Sequence, residues 1–328
     1  MKKRFLVTGG AGFIGSALVR VLVNDGKSVR VLDNEFRGEV DRLKDIRDKF
    51  EMINGDIRDP KLVVKVCRGI DSVIHLAYIN GTQFFYTKPE LVLEVGVKGI
   101  VNILDGCIKN NVGELFLAST SEVYQTPKII PTPETVPMVI PDPLNPRYSY
   151  GGGKIISELM AINYGRKYFK RAVIFRPHNV YGPDMGWEHV VPQLILSIKN
   201  LIERNKKSNT IHLPIQGSGD ETRAFIYIDD FLEGLKLVID KGEHLGIYHI
   251  GTMDEVSIKE LAKQIGYHFG RKIIVLPGEL TKGSTKRRCP DISKLKKLGF
   301  KPKVSLKEGL QGTVKWYNAF AHLQPKYE

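Results

Sequence analysis

A glycine-rich turn close to the N-terminus constrains the fold more than any other stretch of the 328-residue chain. The apolar residues 5–7 before it predict a short buried strand, and residues 16–22 after it have the apolar spacing of a helix. Gly9, Gly12 and Gly15 are three residues apart, a looser spacing than that of the standard dinucleotide fingerprint. In a strand–turn–helix unit, glycines let the backbone approach a pyrophosphate, whose charge is met by the N–H groups that begin the helix. The turn therefore predicts a dinucleotide site, with a purely structural turn as the alternative.

An acidic residue, Asp33, follows the next predicted strand at residues 28–32. In such a fold, a carboxylate at this place accepts hydrogen bonds from both hydroxyls of an adenine ribose and repels a 2′-phosphate. We therefore predict NAD as the cofactor. Arg37 lies nearby in the sequence and keeps NADP as an alternative, unless it is only a solvated loop charge.

Strands alternate with helices over the first 180 residues, which predicts an α/β fold with a doubly wound parallel sheet of the Rossmann type. The predicted strands are residues 5–7, 28–32, 51–57, 72–77, 115–118 and 172–175, and the predicted helices are residues 16–22, 60–67, 91–109 and 150–168. Ligands in such sheets bind beyond the carboxyl ends of the strands. Five residues fall at or just beyond those ends: Asp33, Asp56, Ala77, Thr120 and Arg176.

A second region begins where this alternation stops, near Gly182. Its predicted helices are residues 190–203, 231–239 and 258–269, with an extended stretch at 211–213 and a strand at 248–251 that can rejoin the main sheet. We expect an NAD-binding domain of residues 1–180 plus about 226–251. The expected substrate domain is smaller, mixed α/β, and comprises residues 181–225 and 252–328. The proline-rich loop at 125–147 is long for a compact domain, so we expect it to border the substrate.

The net charge of +13 raises the question of a polyanionic partner. Basic residues concentrate in the last third of the chain, at 206–207, 286–288 and 294–303. They are accompanied neither by a nucleic-acid-binding motif nor by a basic stripe interleaved with aromatic residues. We expect solvated helix faces, one or two arginines that bind a diphosphate, and no nucleic-acid partner.

Membrane and redox features of the sequence are few. No apolar run approaches the ~20 residues that span a bilayer, and the apolar stretch after the basic residues 2–4 is too short for a signal peptide. Cys67, Cys107 and Cys289 are odd in number, far apart and without metal-ligand spacing. We therefore expect a cytoplasmic protein with buried thiols, no disulfide, no metal and no membrane partner.

Tyr150 and Lys154 are four residues apart at the start of a predicted helix, so they share one helix face. A phenol is a weak base at neutral pH, but a nearby ammonium and an oxidised nicotinamide both favour the phenolate. Tyr150 would then take the proton of a substrate hydroxyl while NAD takes a hydride from the same carbon. Thr120, at the end of the fifth strand, can hydrogen-bond to that oxygen. A surface Tyr/Lys pair is the alternative interpretation.

These residues belong to a longer series of motifs. In chain order they are residues 8–15, Asp33, Asp56 with Ile57, Thr120, Tyr150 with Lys154, and residues 176–183, 217–225, 227–230, 287–294 and 298–302. The series resembles extended short-chain dehydrogenase/reductases and, more narrowly, the NAD-dependent nucleotide-sugar epimerase/dehydratase family. The resemblance covers nearly the whole chain, and its motifs are specific for the family though not for the reaction.

The resemblance implies a tightly held NAD that oxidises a nucleotide-diphospho-sugar at C4 and later returns the electrons. The implied cofactor-binding residues are Gly9, Gly12, Phe13, Ile14, Gly15, Asp33, Asn34, Asp56, Ile57, Leu76, Ala77, Tyr78, Tyr150 and Lys154. The implied substrate-binding residues are Thr120, Ser121, Glu122, Asn179, Arg223 and Arg288. Arginine forks suit phosphate oxygens, with structural salt bridges as the alternative role. The resemblance also implies a homodimer formed through the helices at 91–109 and 150–168.

The chain departs from the family pattern at three places. Glycines 151–153 stand between the catalytic pair and weaken the helix by ~1 kcal/mol each relative to alanine, which we interpret as close packing against cofactor or substrate. Gly96 stands where relatives usually carry asparagine. Tyr78 replaces a residue that is usually small, so the pocket near the nicotinamide is expected to differ in shape.

Residues 120–124 bear on the second step of the reaction. Dehydratases of the family resemble this stretch but carry an aspartate, their acid, where Ser121 stands, followed by a glutamate base. Decarboxylases have Thr-Ser-Glu as written here, and simple 4-epimerases usually lack the glutamate. Glu122 therefore favours chemistry near C5, and Ser121 argues against a standard 4,6-dehydratase. Epimerisation is the alternative if Glu122 is only a hydrogen-bonded loop residue. The predicted catalytic residues are Thr120, Ser121, Glu122, Tyr150 and Lys154.

The predicted function is that of an NAD-dependent nucleotide-sugar epimerase/dehydratase, with C4 oxidation followed by chemistry at C4 or C5. A nucleotide-sugar decarboxylase of the UDP-glucuronate type is the alternative. An alternative of another class is a non-catalytic NAD- or RNA-binding protein, given the basic charge. The intact set of Thr120, Tyr150 and Lys154 argues against it, because a binding module has no need of that set.

Overall fold

Fourteen strands and ten helices run through the residues that the computed structural model describes, 2–279 and 283–324. The strands are β1 (Arg4–Thr8), β2 (Ser28–Asp33), β3 (Glu51–Asn54), β4 (Ser72–His75), β5 (Glu114–Ala118), β6 (Arg171–Pro177), β7 (Val180–Tyr181), β8 (Thr210–Pro214), β9 (Thr222–Ala224), β10 (Ile226–Tyr227), β11 (Ile247–Ile250), β12 (Glu255–Ser257), β13 (Lys272–Leu276) and β14 (Arg287–Arg288). The helices are α1 (Phe13–Asn24), α2 (Pro60–Val66), α3 (Thr82–Thr87), α4 (Pro89–Lys109), α5 (Tyr148–Tyr168), α6 (Val190–Arg204), α7 (Ile228–Lys241), α8 (Ile258–His268), α9 (Ser293–Lys297) and α10 (Leu306–Phe320). Val40–Lys49, Ser121–Tyr124 and Ala321–Leu323 form 3₁₀ turns.

Seven parallel strands form the central sheet, in the order β11-β6-β5-β4-β1-β2-β3. The order reverses between β1 and β4, because β2 and β3 extend the sheet to one side of β1 while β4, β5 and β6 extend it to the other. β11 pairs with β6 along four residues, so the strand that was expected to rejoin the main sheet does so. The prediction of a doubly wound parallel sheet is confirmed.

Helices cover both faces of this sheet, which explains why the three central residues of β1 are all apolar. Phe5 and Val7 pack into one apolar cluster with residues of α1 and α7, while Leu6 between them packs into a second cluster with residues of α2, α4 and α5. A strand that is buried on both faces carries a continuous apolar run instead of an alternating one.

Local signals explain several helix boundaries. The Asp59 side chain accepts hydrogen bonds from the N–H groups of Lys61 and Leu62, and Pro60 occupies the first position of α2. In α10, Ser305 and Glu308 form a reciprocal capping box. Such caps satisfy the N–H groups that a helix leaves unbonded at its start.

A third apolar cluster lies outside the main sheet, where α6, α8 and α10 pack together with β8 and β13. Helices α3, α9 and α10 escaped prediction. The first two have six and five residues, too few for a periodic pattern, and α10 contains Gly309 and Gly312, which lower helix propensity. Within residues 2–279 and 283–324, no helix is long and apolar enough to cross a membrane.

Candidate active site

A cavity of about 500 Å³ opens at the carboxyl ends of the central strands, where the strand order reverses. Every predicted cofactor residue lines it: Gly9, Gly12, Phe13, Ile14, Gly15, Asp33, Asn34, Asp56, Ile57, Leu76, Ala77, Tyr78, Tyr150 and Lys154. Five of the six predicted substrate residues do so as well: Thr120, Ser121, Glu122, Asn179 and Arg288. The cavity therefore joins the two predicted sets in one space.

The glycine turn forms one wall of the cavity, and close backbone contacts at two of its glycines leave no room for a Cβ atom. A Cβ atom on Gly15 would lie 2.1 Å from the carbonyl oxygen of Gly9, so α1 packs directly on the turn. Gly9 has a φ of +73°, and a Cβ there would lie 2.7 Å from the backbone nitrogen of Ala77. α1 begins at Phe13 with no side chain capping its first N–H groups, which leaves this end of the helix suited to an anion.

Asp33 lies beside the turn at the end of β2. Its carboxylate accepts hydrogen bonds from the N–H groups of Ala11 (2.9 Å) and Glu35 (2.8 Å). Burial raises the pKa of Asp33, and these two donors only partly offset the effect. The nearby Arg37 forms a two-point ion pair with Glu188, with Nη2–Oε2 2.8 Å and Nη1–Oε1 3.0 Å. An arginine held in this way is less suited to receive a 2′-phosphate, which agrees with NAD over NADP.

Asp56 lies on the same side of the cavity. It accepts a hydrogen bond from Asn34 at 3.1 Å and a stronger one from Arg58 at 2.7 Å, and Arg58 also pairs with Glu94. The hydrogen bond from Arg58 is the main cause that holds the pKa of Asp56 below its usual value. Arg58 lines the cavity but carried no signal in the sequence, since its role depends on a contact with α4.

The reaction centre lies at the far end, where Tyr150 and Thr120 both line the cavity and the Thr120 side chain acts to lower the pKa of the Tyr150 phenol. The Lys154 ammonium donates to the carbonyl of Ala118 at 2.7 Å. The sequence analysis grouped Thr120 with Tyr150 and Lys154, although Thr120 precedes Tyr150 by thirty residues. The structure brings these three residues together. The surface-pair alternative fails, because Tyr150 and Lys154 are both buried.

Burial governs the titration of this pair. Burial raises the pKa of Tyr150, and it lowers the pKa of Lys154 to about 7 against the opposing effect of Glu158. Lys154 lies 6.0 Å from the centre of the Tyr150 ring and is not among the groups that shift the phenol. In the chain without cofactor, desolvation dominates both groups, so the expectation that the ammonium and an oxidised nicotinamide favour the phenolate stays a prediction.

Glu122 faces a cluster of arginines on the other side of the reaction centre. Arg288 donates to Glu122 Oε1 at 3.0 Å, and Arg147 lies 3.8 Å from the same oxygen. Burial acts to raise the pKa of Glu122, but Arg288, Arg147 and Arg223 outweigh it and hold the pKa below its usual value. Glu122 is thus ionised at neutral pH and surrounded by excess positive charge.

Arg223 differs from the other predicted substrate residues, because the structure does not place it in the cavity lining. Its guanidinium donates to the carbonyls of Thr222 and Thr285, both at 2.7 Å. Burial, with Arg288 as the next contribution, lowers its pKa to about 10. In this arrangement Arg223 braces the segment that carries Arg288. Asn179 does line the cavity, and its amide donates to the carbonyl of Ala224 at 2.9 Å.

The interpretation of glycines 151–153 as packing against cofactor or substrate is wrong. A Cβ on Gly153 would lie 2.0 Å from the hydroxyl oxygen of Tyr78, and one on Gly151 would lie 2.7 Å from the side-chain nitrogen of Gln125. These glycines make room for neighbouring protein side chains. The cavity residues that the sequence analysis missed include Phe36, Asn80, Thr82, Phe85, Met185 and His189.

The parallel seven-stranded sheet, the glycine turn and the buried Tyr150–Lys154 pair define an extended short-chain dehydrogenase/reductase. A family model described as the NAD dependent epimerase/dehydratase family matches residues 5–251. The chain belongs to this family. It is therefore an enzyme with NAD as its cofactor, which excludes the alternative of a non-catalytic NAD- or RNA-binding protein.

Relatives and solved structures span nearly the whole chain. UDP-glucuronic acid decarboxylase 5 of Arabidopsis thaliana is 34% identical over 311 residues, which cover 94% of this chain and 87% of the relative. A UDP-N-acetyl-alpha-D-glucosaminuronate decarboxylase of Bacillus cytotoxicus is 32% identical over 329 residues, covering 97% of this chain and 98% of the relative.

Among solved structures, the dTDP-glucose 4,6-dehydratase DesIV from Streptomyces venezuelae with NAD bound has a TM-score of 0.85 at 30% identity and covers 98% of both chains. A UDP-glucose 4-epimerase from Thermotoga maritima with UDP-glucose has a TM-score of 0.84 at 28% identity, over 97% of this chain and 99% of that one. One fold thus serves decarboxylation, dehydration and epimerisation.

Proposed function

We propose that this enzyme oxidises a nucleotide-diphospho-sugar at C4 with enzyme-bound NAD and then acts at C4 or C5. The observation that carries the proposal is that Thr120, Tyr150 and Lys154 line one cavity, whose remaining wall is suited to a dinucleotide. The relatives named for UDP-glucuronic acid and the neighbours solved with UDP-glucose support a nucleotide sugar as the substrate.

The residues around the cavity fit NAD. Gly9, Gly12 and Gly15 give the backbone close access, and the uncapped start of α1 suits the pyrophosphate. The Asp33 carboxylate would accept hydrogen bonds from the ribose hydroxyls, and Asp56 lies further along the same wall of the cavity. When bound, NAD accepts two electrons and one hydrogen from the sugar and later returns them.

Tyr150 and Thr120 would act on the sugar oxygen at C4. The phenol would take the hydroxyl proton, while the threonine hydroxyl would hold the same oxygen by a hydrogen bond. Because burial raises the pKa of Tyr150, the phenol needs added positive charge before it can act as a base at neutral pH. Lys154 can supply part of that charge only while it keeps its proton, and its pKa of about 7 makes the protonation state sensitive to pH.

Among the possible reactions that follow C4 oxidation, the residues of the site favour decarboxylation. Arg288 lines the cavity beside the single carboxylate of Glu122, and Arg147 and Arg223 add positive charge behind it, so the net charge at this side of the cavity favours a diphosphate and a C6 carboxylate. Ser121 stands where a dehydratase would need an acid. A ketone at C4 lies β to a C6 carboxylate, so loss of CO₂ leaves an enol that a proton at C5 converts back to a ketone.

The test is to incubate the purified holoenzyme with a panel of UDP-, GDP- and dTDP-sugars that includes hexuronates, and to follow products by mass spectrometry. Loss of CO₂ identifies a decarboxylase, loss of water a dehydratase, and an isomer of unchanged mass an epimerase. Net consumption of added NADH, or no turnover across the panel, would contradict the proposal. Tyr150→Phe is the matched control, since it should abolish turnover while bound NAD is retained.

We further propose a homodimer formed through α4 and α5. Leu93, Ile156, Leu159 and Tyr168 on these helices are large apolar side chains exposed in the isolated chain. Leu159→Glu should shift the protein towards monomers in analytical ultracentrifugation, whereas an unshifted dimer would exclude this face.

The domain division and the location of the protein also remain proposals. Two apolar clusters are built mainly from the proposed NAD-binding domain, although Ile292, Leu295 and Phe300 of the other segment join one of them, and the third is built mainly from the proposed substrate domain. The three cysteines are buried as free thiols, which supports a reducing compartment such as the cytoplasm.

A further inference from the structure

Tyr78 occupies an unusual place beside the reaction centre. It follows β4, and its ring meets the edge of Tyr150 with centroids 5.2 Å apart and planes at 89°. The Lys154 ammonium lies over the face of the Tyr78 ring, 4.1 Å from the centroid. A cation at this distance from an aromatic face is attracted by the ring quadrupole, most strongly where water is excluded.

Two glycines on different helices make room for this ring. A Cβ on Gly96 in α4 would lie 2.1 Å from the Tyr78 hydroxyl oxygen, 2.3 Å from Cζ and 2.5 Å from Cε2. A Cβ on Gly153 in α5 would lie 2.0 Å from the same hydroxyl oxygen, but 3.4 Å from Cζ. The Tyr78 hydroxyl is buried and has no hydrogen-bond partner within the described part of the chain, so packing contacts alone fix its position. Tyr78, Gly96 and Gly153, which each belong to one of the three departures from the family pattern, therefore form one structural unit.

We propose that Tyr78 is a positioning residue for Lys154, a ring platform locked between α4 and α5 by Gly96 and Gly153. The role of Lys154 in catalysis rests on the proposed function, whereas the platform itself can be tested without substrate. The platform fixes the ammonium between the ring and the carbonyl of Ala118.

Other charged and titratable groups around Lys154 are few. Glu158 lies one turn further along α5 and acts to raise the pKa of Lys154. His75 at the end of β4 is neutral, because burial and Lys154 lower its pKa to about 3, and its ring is hydrogen-bonded to Thr8 at 2.7 Å. Tyr150 also lies beside Lys154, and its raised pKa keeps it neutral. Burial is thus the main influence that lowers the pKa of Lys154, and the face of the Tyr78 ring acts against it by attracting the ammonium.

The first test measures the protonation of Lys154 directly, by NMR of the full chain labelled with [¹³Cε]lysine, with the signal assigned by Lys154→Arg. Tyr78→Leu removes the cation–π attraction that favours the ammonium and keeps the site apolar, so the titration midpoint should fall by about one pH unit or more below that of the wild type. Tyr78→Phe keeps the ring and should shift the midpoint by less than about half a unit. A midpoint in Tyr78→Leu equal to that of the wild type would overturn the proposal.

The second test is a double-mutant cycle on Tm, which uses the difference between the two glycines. Gly153→Ala should lower Tm by about 2 °C or more in the wild type but not in Tyr78→Phe, because only the hydroxyl oxygen is too close. Gly96→Ala should stay destabilising in Tyr78→Phe and be relieved only in Tyr78→Leu, since ring carbons are also too close. Additive effects in all backgrounds would overturn the lock.

Turnover provides a third readout. Tyr78→Leu should lower kcat roughly tenfold or more while KM for the nucleotide sugar changes less than about threefold, because the ring acts on Lys154 and not on substrate binding. A changed KM with unchanged kcat would contradict a positioning role. If the wild type turns over nothing in the panel while the NMR and Tm results hold, the proposed function fails and the platform stands.

Discussion

The buried ion pair between Arg176 and Glu158 yields a prediction about the scaffold of the site. Arg176 donates to both carboxylate oxygens of Glu158, with Nε–Oε1 2.8 Å and Nη2–Oε2 2.5 Å. The two side chains are 2% and 0% exposed. Glu158 lies on α5 one turn after Lys154, so the pair anchors the helix of the reaction centre to β6.

Glu158→Gln would leave a buried guanidinium without its counter-charge. Breaking a buried pair in this way costs about 3–5 kcal/mol. The hydroxyl of Tyr124 and the carbonyl of Glu134 would still accept hydrogen bonds from Arg176, which places the loss near the lower end, about 3 kcal/mol. Since each kcal/mol shifts Tm by ~2–4 °C in proteins of a few hundred residues, Tm should fall by roughly 6 °C or more.

Scanning calorimetry at pH 7 on the purified protein measures this loss. The matched control is the double variant Glu158→Leu with Arg176→Met, which removes both charges and keeps apolar volume. It should regain half or more of the lost Tm, because apolar replacement of a whole buried pair is often neutral or stabilising. If Glu158→Gln melts with the wild type, or if the double variant melts below the single one, the reasoning about this pair is refuted.

Three further predictions concern the cavity. Gly15→Ala should lower Tm and weaken NAD binding, because its Cβ would lie 2.1 Å from the Gly9 carbonyl oxygen, whereas Gly12→Ala, with a nearest contact of 3.3 Å, should keep Tm and lose NAD affinity alone in calorimetric titration. The free energy of unfolding should rise with pH between about 7 and 10.5, because Lys154 in the unfolded chain still binds a proton that it has released in the folded chain. Urea titrations of Lys154→Met should not show this rise. Glu122→Gln should slow product formation by ~10²-fold or more with NAD content unchanged; wild-type rates would show that Glu122 takes no part in the second step.

Residues that follow a predicted strand directly were placed well by sequence reasoning. Asp33 and Thr120 each come immediately or shortly after a buried strand, and a parallel sheet brings all such positions to one edge. Tyr150 and Lys154 share a helix face by spacing alone. These inferences need only local structure and the strand order.

Residues whose contacts depend on packing between distant segments escaped prediction or have neighbours that the sequence did not indicate. Phe85 stacks on Tyr150 at 4.9 Å from the short helix α3, which has no periodic signal. Arg223 matched a substrate-binding motif, yet its guanidinium is tied to backbone carbonyls that become neighbours only in the folded chain. Gly96 and Gly153 meet the same Tyr78 hydroxyl from two helices, and no local pattern relates them.

The titration of the reaction centre was the feature that the sequence could predict least. Sequence spacing correctly placed an ammonium near a phenol, but the sign of the pKa shifts depends on burial, which no spacing reports. Because Tyr150 and Lys154 are both desolvated, each is pushed towards its neutral form. The bound cofactor and the Tyr78 platform must therefore enter any account of how the phenol becomes a base.

Cleavage of the C4–H bond of the sugar is the central chemical claim, and a single-turnover experiment tests it most directly. The holoenzyme is mixed with the nucleotide sugar identified by the panel, either unlabelled or deuterated at C4, and product is followed by rapid-quench mass spectrometry. The account predicts a severalfold slower reaction with the deuterated sugar and a further slowing of ~10² or more in Tyr150→Phe with NAD content unchanged. Equal rates for the two sugars, with Tyr150→Phe as fast as the wild type, would contradict it.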